Sequence, residues 1–220
     1  EDELVMATNA AFPPYEYKDG DGYKGIDVEI AEAIAKKLGK KLVIEDVEFG
    51  AVLTGVAQGK YDFGMAGITV TEDRKKTMDF SNTYATGIQV IIVNDGSPIA
   101  SLDDLASAKI GVQESTTGHI YCEDEFGADA VTPYANGALA VQALLAGKVD
   151  CVIIDNEPAK AFVEANAGLK ILDTAYAVED YAAAMSKDNA ELYEAVNKAL
   201  EELIADGTVK TIVEKYIPAN

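Results

Sequence analysis

Histidine is almost missing from this chain: His119 is the only one among 220 residues. A multi-histidine metal site and a histidine relay with several partners are therefore excluded. The two cysteines, Cys122 and Cys151, fit neither a CxxC motif nor zinc-ligand spacing, and are either buried free thiols or one disulfide. No apolar run approaches the roughly 18 residues that a membrane-spanning helix needs. No GxSxG nucleophile elbow and no Walker-type phosphate loop occur, nor does a basic patch with interleaved aromatics or a heptad run. Ser115-Thr116-Thr117-Gly118-His119 sets hydroxyls beside the histidine, but neighbours in sequence are not a triad. His119 reads instead as a residue of a helix surface or a cleft rim. Positive charge is also scarce: 18 basic residues stand against 38 acidic ones, a formal net charge of −20. That balance disfavours nucleic-acid backbones and anionic membranes. Small ligands are not excluded, because a buried site carries its own local field.

What is present suits a well-packed α/β protein. Hydrophobic residues make up 49% of the chain, enough for substantial cores in one large domain or two of roughly 100 residues. The first residue is Glu1 rather than Met, as expected of a processed or trimmed N-terminus.

Leu4–Thr8 reads as a short buried strand leading to Asn9, followed by a stiff aromatic segment around Pro13-Pro14. Asp19-Gly20-Asp21-Gly22 is a turn. Gly20 to Gly25 formally matches GxGxxG but follows a polar turn, not a buried strand, so no dinucleotide fingerprint is read there. A calcium loop fails too, since Lys24 and Ile30 hold the positions that need Gly and Glu. Ile26, Ile30, Ala33, Ile34 and Leu38 recur at helical spacing, closed by Gly39. Leu42–Ile44 predicts a strand, Ala51–Gln58 a helix stopped by Gly59, and Tyr61–Ala66 another strand. This is the rhythm of a mostly parallel sheet.

A second copy of the rhythm follows at a fixed offset. Gly59-Lys60-Tyr61-Asp62 leads into Phe63–Gly67, and Gly147-Lys148-Val149-Asp150 leads into Cys151–Asp155, each after an apolar helix. Lys109–Gln113 echoes the opening strand. Two similar halves predict two lobes. Gly67 and Asp155 then fall at equivalent strand ends, where open α/β sheets bind ligands. Gly87–Val93 predicts one crossing between lobes and Tyr176–Met185 the return, with two amphipathic helices closing the chain. Lobe 1 is expected over 1–87 and 183–220, and lobe 2 over 88–182.

The stretch Ala66–Arg74 carries the chemistry. Thr71 reads as an N-cap, with Glu72 and Asp73 in a favourable first turn. Arg74 is out of place near a helix start, where a cation opposes the dipole. A guanidinium beside a strand end, Thr69 and unsatisfied N–H groups makes a carboxylate clamp; a surface pair with Glu72 or Asp73 is the plainer reading. Asp155 on the opposite lobe complements an ammonium, or else simply caps the helix that Pro158 helps start. A cation on one wall and a carboxylate on the other complement an amino-acid zwitterion. Phe12 and Phe49 are either core or cleft wall. Ser115–Gly118 is a hydroxyl-rich loop that opens a helix and invites an anion.

Four motifs together resemble one family: Ala7–Tyr17, Gly25–Ala31, Ala66–Arg74 with Asp79-Phe80-Ser81, and Gly111–Gly118. They are similar to extracellular solute-binding proteins of the polar amino-acid class that serve ABC importers. The resemblance implies two Rossmann-like lobes joined by a two-strand hinge, a periplasmic-binding-protein-like fold of type II, closing on an amino acid. It implies that Arg74 grips the α-carboxylate with Thr69 and the backbone at Thr116 and Thr117. Asp155 then holds the α-ammonium, with the Gly67 carbonyl and Thr69. Phe12 and Phe49 sandwich the side chain, whose tip meets Asn9, Ala66, Gln113 and Glu16. No catalytic residue, metal or cofactor is implied. The expected partners are a free amino acid and a membrane-embedded ABC permease, not nucleic acid, and a monomer is expected. The implied location is extracytoplasmic: the periplasm, or the outer surface by an N-terminal lipid anchor. Asn9 stands where many members have Asp, and Ser115 where many have Gly. The first departure favours glutamine or a similar polar neutral ligand, with arginine next if Glu16 faces the pocket. A periplasmic dehydratase-like enzyme on the same scaffold and the sensing domain of a receptor are the alternatives.

Overall fold

The computed structural model describes residues 2–218. In chain order β1 (Glu3–Thr8) is followed by β2 (Ala11–Phe12), β3 (Glu16–Asp19) and β4 (Gly22–Lys24). Next come α1 (Ile26–Lys37), β5 (Lys41–Asp46), α2 (Phe49–Ala57) and β6 (Phe63–Gly64). A 3-10 turn at Arg74–Lys76 precedes β7 (Met78–Phe80) and the long β8 (Ala85–Asn94). A second 3-10 turn at Leu102–Ser107 leads to β9 (Ile110–Gln113), α3 (Thr117–Phe126), β10 (Val131–Tyr134) and α4 (Gly137–Leu145). Then come β11 (Cys151–Asp155), α5 (Asn156–Ala165), β12 (Leu169–Ile171), β13 (Ala177–Tyr181) and β14 (Ala184–Ser186), ending with α6 (Ala190–Ala205) and α7 (Thr208–Tyr216).

These elements form two compact units. One runs up to Thr86 and resumes at Asp180; the other spans Gly87–Glu179. Both boundaries fall inside strands, β8 and β13, which pair with each other. The expected divisions are 87/88, one residue further along β8, and 182/183, just past the end of β13.

The first unit contains a sheet ordered β5-β1-β6-β14-β7, and the second one ordered β10-β9-β11-β8-β12. In each unit the first strand lies between the other two of its β-α-β-α-β run, and all three are parallel. In each, an antiparallel strand then pairs with the third, β14 with β6 and β8 with β11. Crossover helices drive that order, because parallel neighbours cannot be joined by a tight turn. The helices bury one face: Ile26, Ile30, Ala31 and Ile34 of α1 and Ala140, Val141 and Leu144 of α4 are fully or almost fully covered. Phe49, Val52, Val56 and Ile68 centre one core, and Ile91, Val93, Ile110, Val112, Cys122 and Cys151 the other.

The Gly-Lys-x-Asp echo has one physical meaning in both units. Gly59 and Gly147 end α2 and α4 with a left-handed residue, each at φ 75°. Their N–H groups donate to Val56 and Leu144, while Lys60 and Lys148 donate to Gly55 and Ala143, which is the Schellman closure. Asp62 and Asp150 then accept the backbone N–H groups of Val5 and Lys109, 2.7 and 2.8 Å away, at the start of the first strand. One tetrapeptide thus stops a helix and fixes the next strand against the first.

Three expectations need correction. The strand expected over Tyr61–Ala66 shrinks to Phe63–Gly64, because Gly67 turns left-handed at φ 57° and ends it. The helix expected after Thr71 is only the 3-10 turn, although the Thr71 hydroxyl does accept the Arg74 N–H at 3.0 Å. The return run at Tyr176–Met185 breaks into β13 and β14, since Ala182 donates to the Ile68 carbonyl and Ala183 to the Ser81 hydroxyl instead of continuing one ladder. A small antiparallel sheet of β2, β3 and β4 was not expected at all. Both cysteines are free and buried.

Candidate functional site

In the first unit the candidate residues gather where β1 and β6 end. Asn9, just past β1, is buried and donates from Nδ2 to the Val47 carbonyl at 2.9 Å. Asp46 accepts the Ala10 N–H, also at 2.9 Å, so the chain leaves the sheet on a fixed course. Phe12 stacks on Tyr15 with ring centroids 5.6 Å apart. Phe12 also lies against Gly67, where a Cβ would come within 2.9 Å of its ring. Both that approach and the positive φ restrict position 67 to glycine. Ala66 and Thr69 are buried beside it, and Thr69 bridges to Tyr181.

Arg74 is not a surface residue: only 7% of it is exposed. Its Nη1 donates to the Thr69 carbonyl at 2.8 Å, and its guanidinium carbon sits 5.5 Å from the centroid of the Phe49 ring. Glu72 and Asp73 pair instead with Lys75 and Lys76. The planar cation is thereby oriented by a backbone carbonyl and an aromatic face.

Behind Gly67 lies a buried polar group that the sequence does not advertise. Asp27, fully covered in α1, accepts the Gly67 N–H at 2.8 Å and the Tyr84 hydroxyl. The Glu16 side chain also acts on Asp27 and pulls its pKa down. Burial pushes Asp27 above the ordinary carboxylate range, against the opposing pull of these hydrogen bonds. Burial, then the charge of Asp27, pushes the Tyr84 hydroxyl well above its usual value. Glu16, expected at the tip of a ligand, thus has Asp27 as a partner within the first unit.

In the second unit the equivalent strand ends carry Gln113 and Asp155, both buried. After β9 the chain turns through Ser115, the one non-glycine residue at positive φ (69°) among the described residues. Thr116 caps α3: its hydroxyl accepts the His119 N–H at 3.3 Å and donates to the Gln113 carbonyl at 2.8 Å. Thr117 is buried in the first turn. Asp155 caps α5 by accepting the Glu157 N–H at 2.9 Å. It faces Gln89 across the β11–β8 ladder, and Gln89 donates to Glu179 at 3.1 Å. Gln89 and Glu179 are buried polar residues of β8 and β13, which sequence reasoning passed over.

Among the described residues no cluster of three or more His, Cys, Asp or Glu side chains is arranged to hold a metal ion. Nor is any helix there long and apolar enough to cross a membrane.

Residues 4–219 match the family described as bacterial extracellular solute-binding proteins, family 3. The chain belongs to that family. Family 3 members are binding proteins rather than enzymes, and this one has their two-lobed α/β, periplasmic-binding-protein-like fold of type II with a hinge. Its place is extracytoplasmic. The arginine-binding extracellular protein ArtP of Bacillus subtilis is 32% identical over 223 residues, covering 97% of this chain and 86% of that protein. The arginine-, lysine-, histidine-binding protein ArtJ of Geobacillus stearothermophilus superposes with a TM-score of 0.93 at 32% identity, covering 100% of this chain and 96% of ArtJ. An ancestral arginine-binding protein bound to glutamine gives a TM-score of 0.93 at 39% identity, over 100% and 99% of the two chains.

Proposed function

We propose that this family 3 protein binds one free polar L-amino acid as a monomer and delivers it to a membrane-embedded ABC permease. The observation that carries the reading is a pair of buried opposite charges, one in the segment that follows β6 and one at the end of β11. Arg74 is set on the Phe49 face and the Thr69 carbonyl in the first unit, and Asp155 ends β11 in the second. An α-amino acid presents the two complementary charges on one carbon.

In this reading Arg74 takes the α-carboxylate with Thr69 and the N–H groups at Thr116 and Thr117. Asp155 takes the α-ammonium together with the Gly67 carbonyl. Phe12 and Phe49 cover the side chain, and Ala66, Asn9, Gln113 and Glu16 surround its tip. The amide groups of Asn9 and Gln113 offer both donors and acceptors, which favours glutamine or a similar neutral tip. Leaving such groups unpaired costs about 1–3 kcal/mol, enough to discriminate between ligands. Arginine is the second candidate. It is favoured by the names of the relatives, one of which was captured with glutamine.

A thermal-shift screen of the twenty amino acids tests the proposal. A ligand at about 100 times its Kd stabilises by about 2.7 kcal/mol, a rise of roughly 5–10 °C for a protein of this size. A selective rise with glutamine or arginine is expected. Twenty flat curves overturn the reading, and a response confined to apolar amino acids overturns the pocket.

A further inference from the structure

Ser115 holds a left-handed backbone with a side chain that ordinarily disfavours it. Its N–H donates to His119 Nδ1 at 3.0 Å. The other ring nitrogen, Nε2, is 2.7 Å from Glu123 Oε1. A nitrogen that accepts a backbone N–H carries no proton of its own, so the ring is the neutral tautomer with hydrogen on Nε2, directed at the carboxylate. The imidazole is therefore a brace one turn long, with α3 supplying both His119 and Glu123. It ties the strained residue to the helix whose first turn carries Thr116 and Thr117. The Thr116 hydroxyl, bonded to the His119 N–H and the Gln113 carbonyl, closes the same turn from the other side.

We propose that His119 is a positioning residue for ligand binding: it fixes Ser115 in its left-handed turn and so presents the Thr116 and Thr117 N–H groups to the ligand carboxylate. A glycine at 115 would adopt the turn without cost. Serine needs the bond, and His119 provides it. This role rests on the proposed amino-acid binding at that loop, but the bond itself does not.

Two substitutions separate the ring's two hydrogen bonds. Asn Oδ1 occupies the position of Nδ1, so His119→Asn keeps the acceptor for Ser115 and loses Glu123. His119→Gln reaches the position of Nε2, so it keeps Glu123 and loses Ser115. Three readouts apply: imidazole nitrogen shifts by NMR in the unliganded wild type, exchange of the Ser115 amide, and calorimetric affinity for the amino acid found in the screen. The expected result is an Nε2–H tautomer, a protected Ser115 amide in wild type and His119→Asn, and loss of that protection in His119→Gln. Affinity should fall about five- to tenfold in His119→Gln, the weight of one hydrogen bond, and by less than half as much in His119→Asn. Adding Ser115→Gly to His119→Gln should restore wild-type affinity. An Nδ1–H tautomer, or rescue by Gln instead of Asn, overturns the inference. So does an affinity loss that Ser115→Gly fails to repair. Failure of every amino acid to bind the wild type overturns the proposed function and the ligand role with it, and is recognised by an intact Ser115–His119 bond in the spectra.

Discussion

Replacing Arg74 tests the site at its most constrained point. Arg74→Ala removes a buried guanidinium that donates to the Thr69 carbonyl at 2.8 Å and lies 5.5 Å from the Phe49 centroid. Within the unliganded protein it forfeits one hydrogen bond from a charged donor and a cation–π contact, together about 2–4 kcal/mol. The relief of no longer burying a cation offsets part of that loss, so the fold should survive with a modestly lower Tm. Binding should suffer far more. Truncating one partner of a desolvated charge pair costs about 2–5 kcal/mol, which is roughly a 30-fold to several-thousand-fold loss of affinity. Arg74→Lys retains the charge but not the planar fork or the seat on Phe49, so it should fall between Ala and wild type. Calorimetry on variants shown by circular dichroism to be folded gives the answer. An Arg74→Ala affinity within about threefold of wild type refutes the clamp, because no hydrogen-bonded buried charge pair is that weak.

Other outcomes follow from the same geometry. Asp155→Asn keeps an acceptor for the Glu157 N–H but loses the charge, so binding should weaken well over tenfold with secondary structure unchanged by circular dichroism; an unaltered Kd excludes the ammonium role. Burial raises the pKa of Asp27, so its contribution to stability is fully present below its unfolded pKa of about 3.9 and is lost as pH rises through the folded value. Asp27→Asn lacks that titration, and its stability deficit in denaturant melts should shrink between about pH 4 and pH 7; a deficit that grows with pH contradicts this. Burial pushes the thiols of Cys122 and Cys151 up to about 12. Both should resist a disulfide reagent in the native protein and react on denaturation. Rapid native labelling would refute their placement.

How far the sequence reaches depends on the distance over which a residue acts. Gly59 and Gly147 were readable because a Schellman closure is local, and Asp62 and Asp150 gave the echo its length. The apolar periodicity of α1, α6 and α7 is likewise local and correctly marked those helices. The stretch from Ala66 to Arg74 misled at the level of secondary structure, because tertiary bonds override its helical pattern. Val70 donates to the Asp180 carbonyl, Thr69 bridges to Tyr181, and the Arg74 guanidinium folds back on Thr69. Asp27 lies in the first turn of α1, where an acid is ordinary. Its partners Gly67 and Tyr84 are 40 and 57 residues away in sequence, beyond the reach of any local pattern. Gln89 and Glu179 were hidden for the same reason, each in a separate strand run.

The central claim is that Arg74 and Asp155 recognise the two charges on the α-carbon of one ligand. Calorimetric titration of the wild-type protein with the best amino acid from the screen, its N-acetyl derivative and its α-carboxamide tests this most directly. Each derivative deletes one charge and leaves the side chain intact. The account predicts a loss of at least about 30-fold for either derivative, the lower bound for an unpaired buried charge. If both derivatives bind as tightly as the free amino acid, recognition lies in the side chain alone and the charge-pair account is wrong.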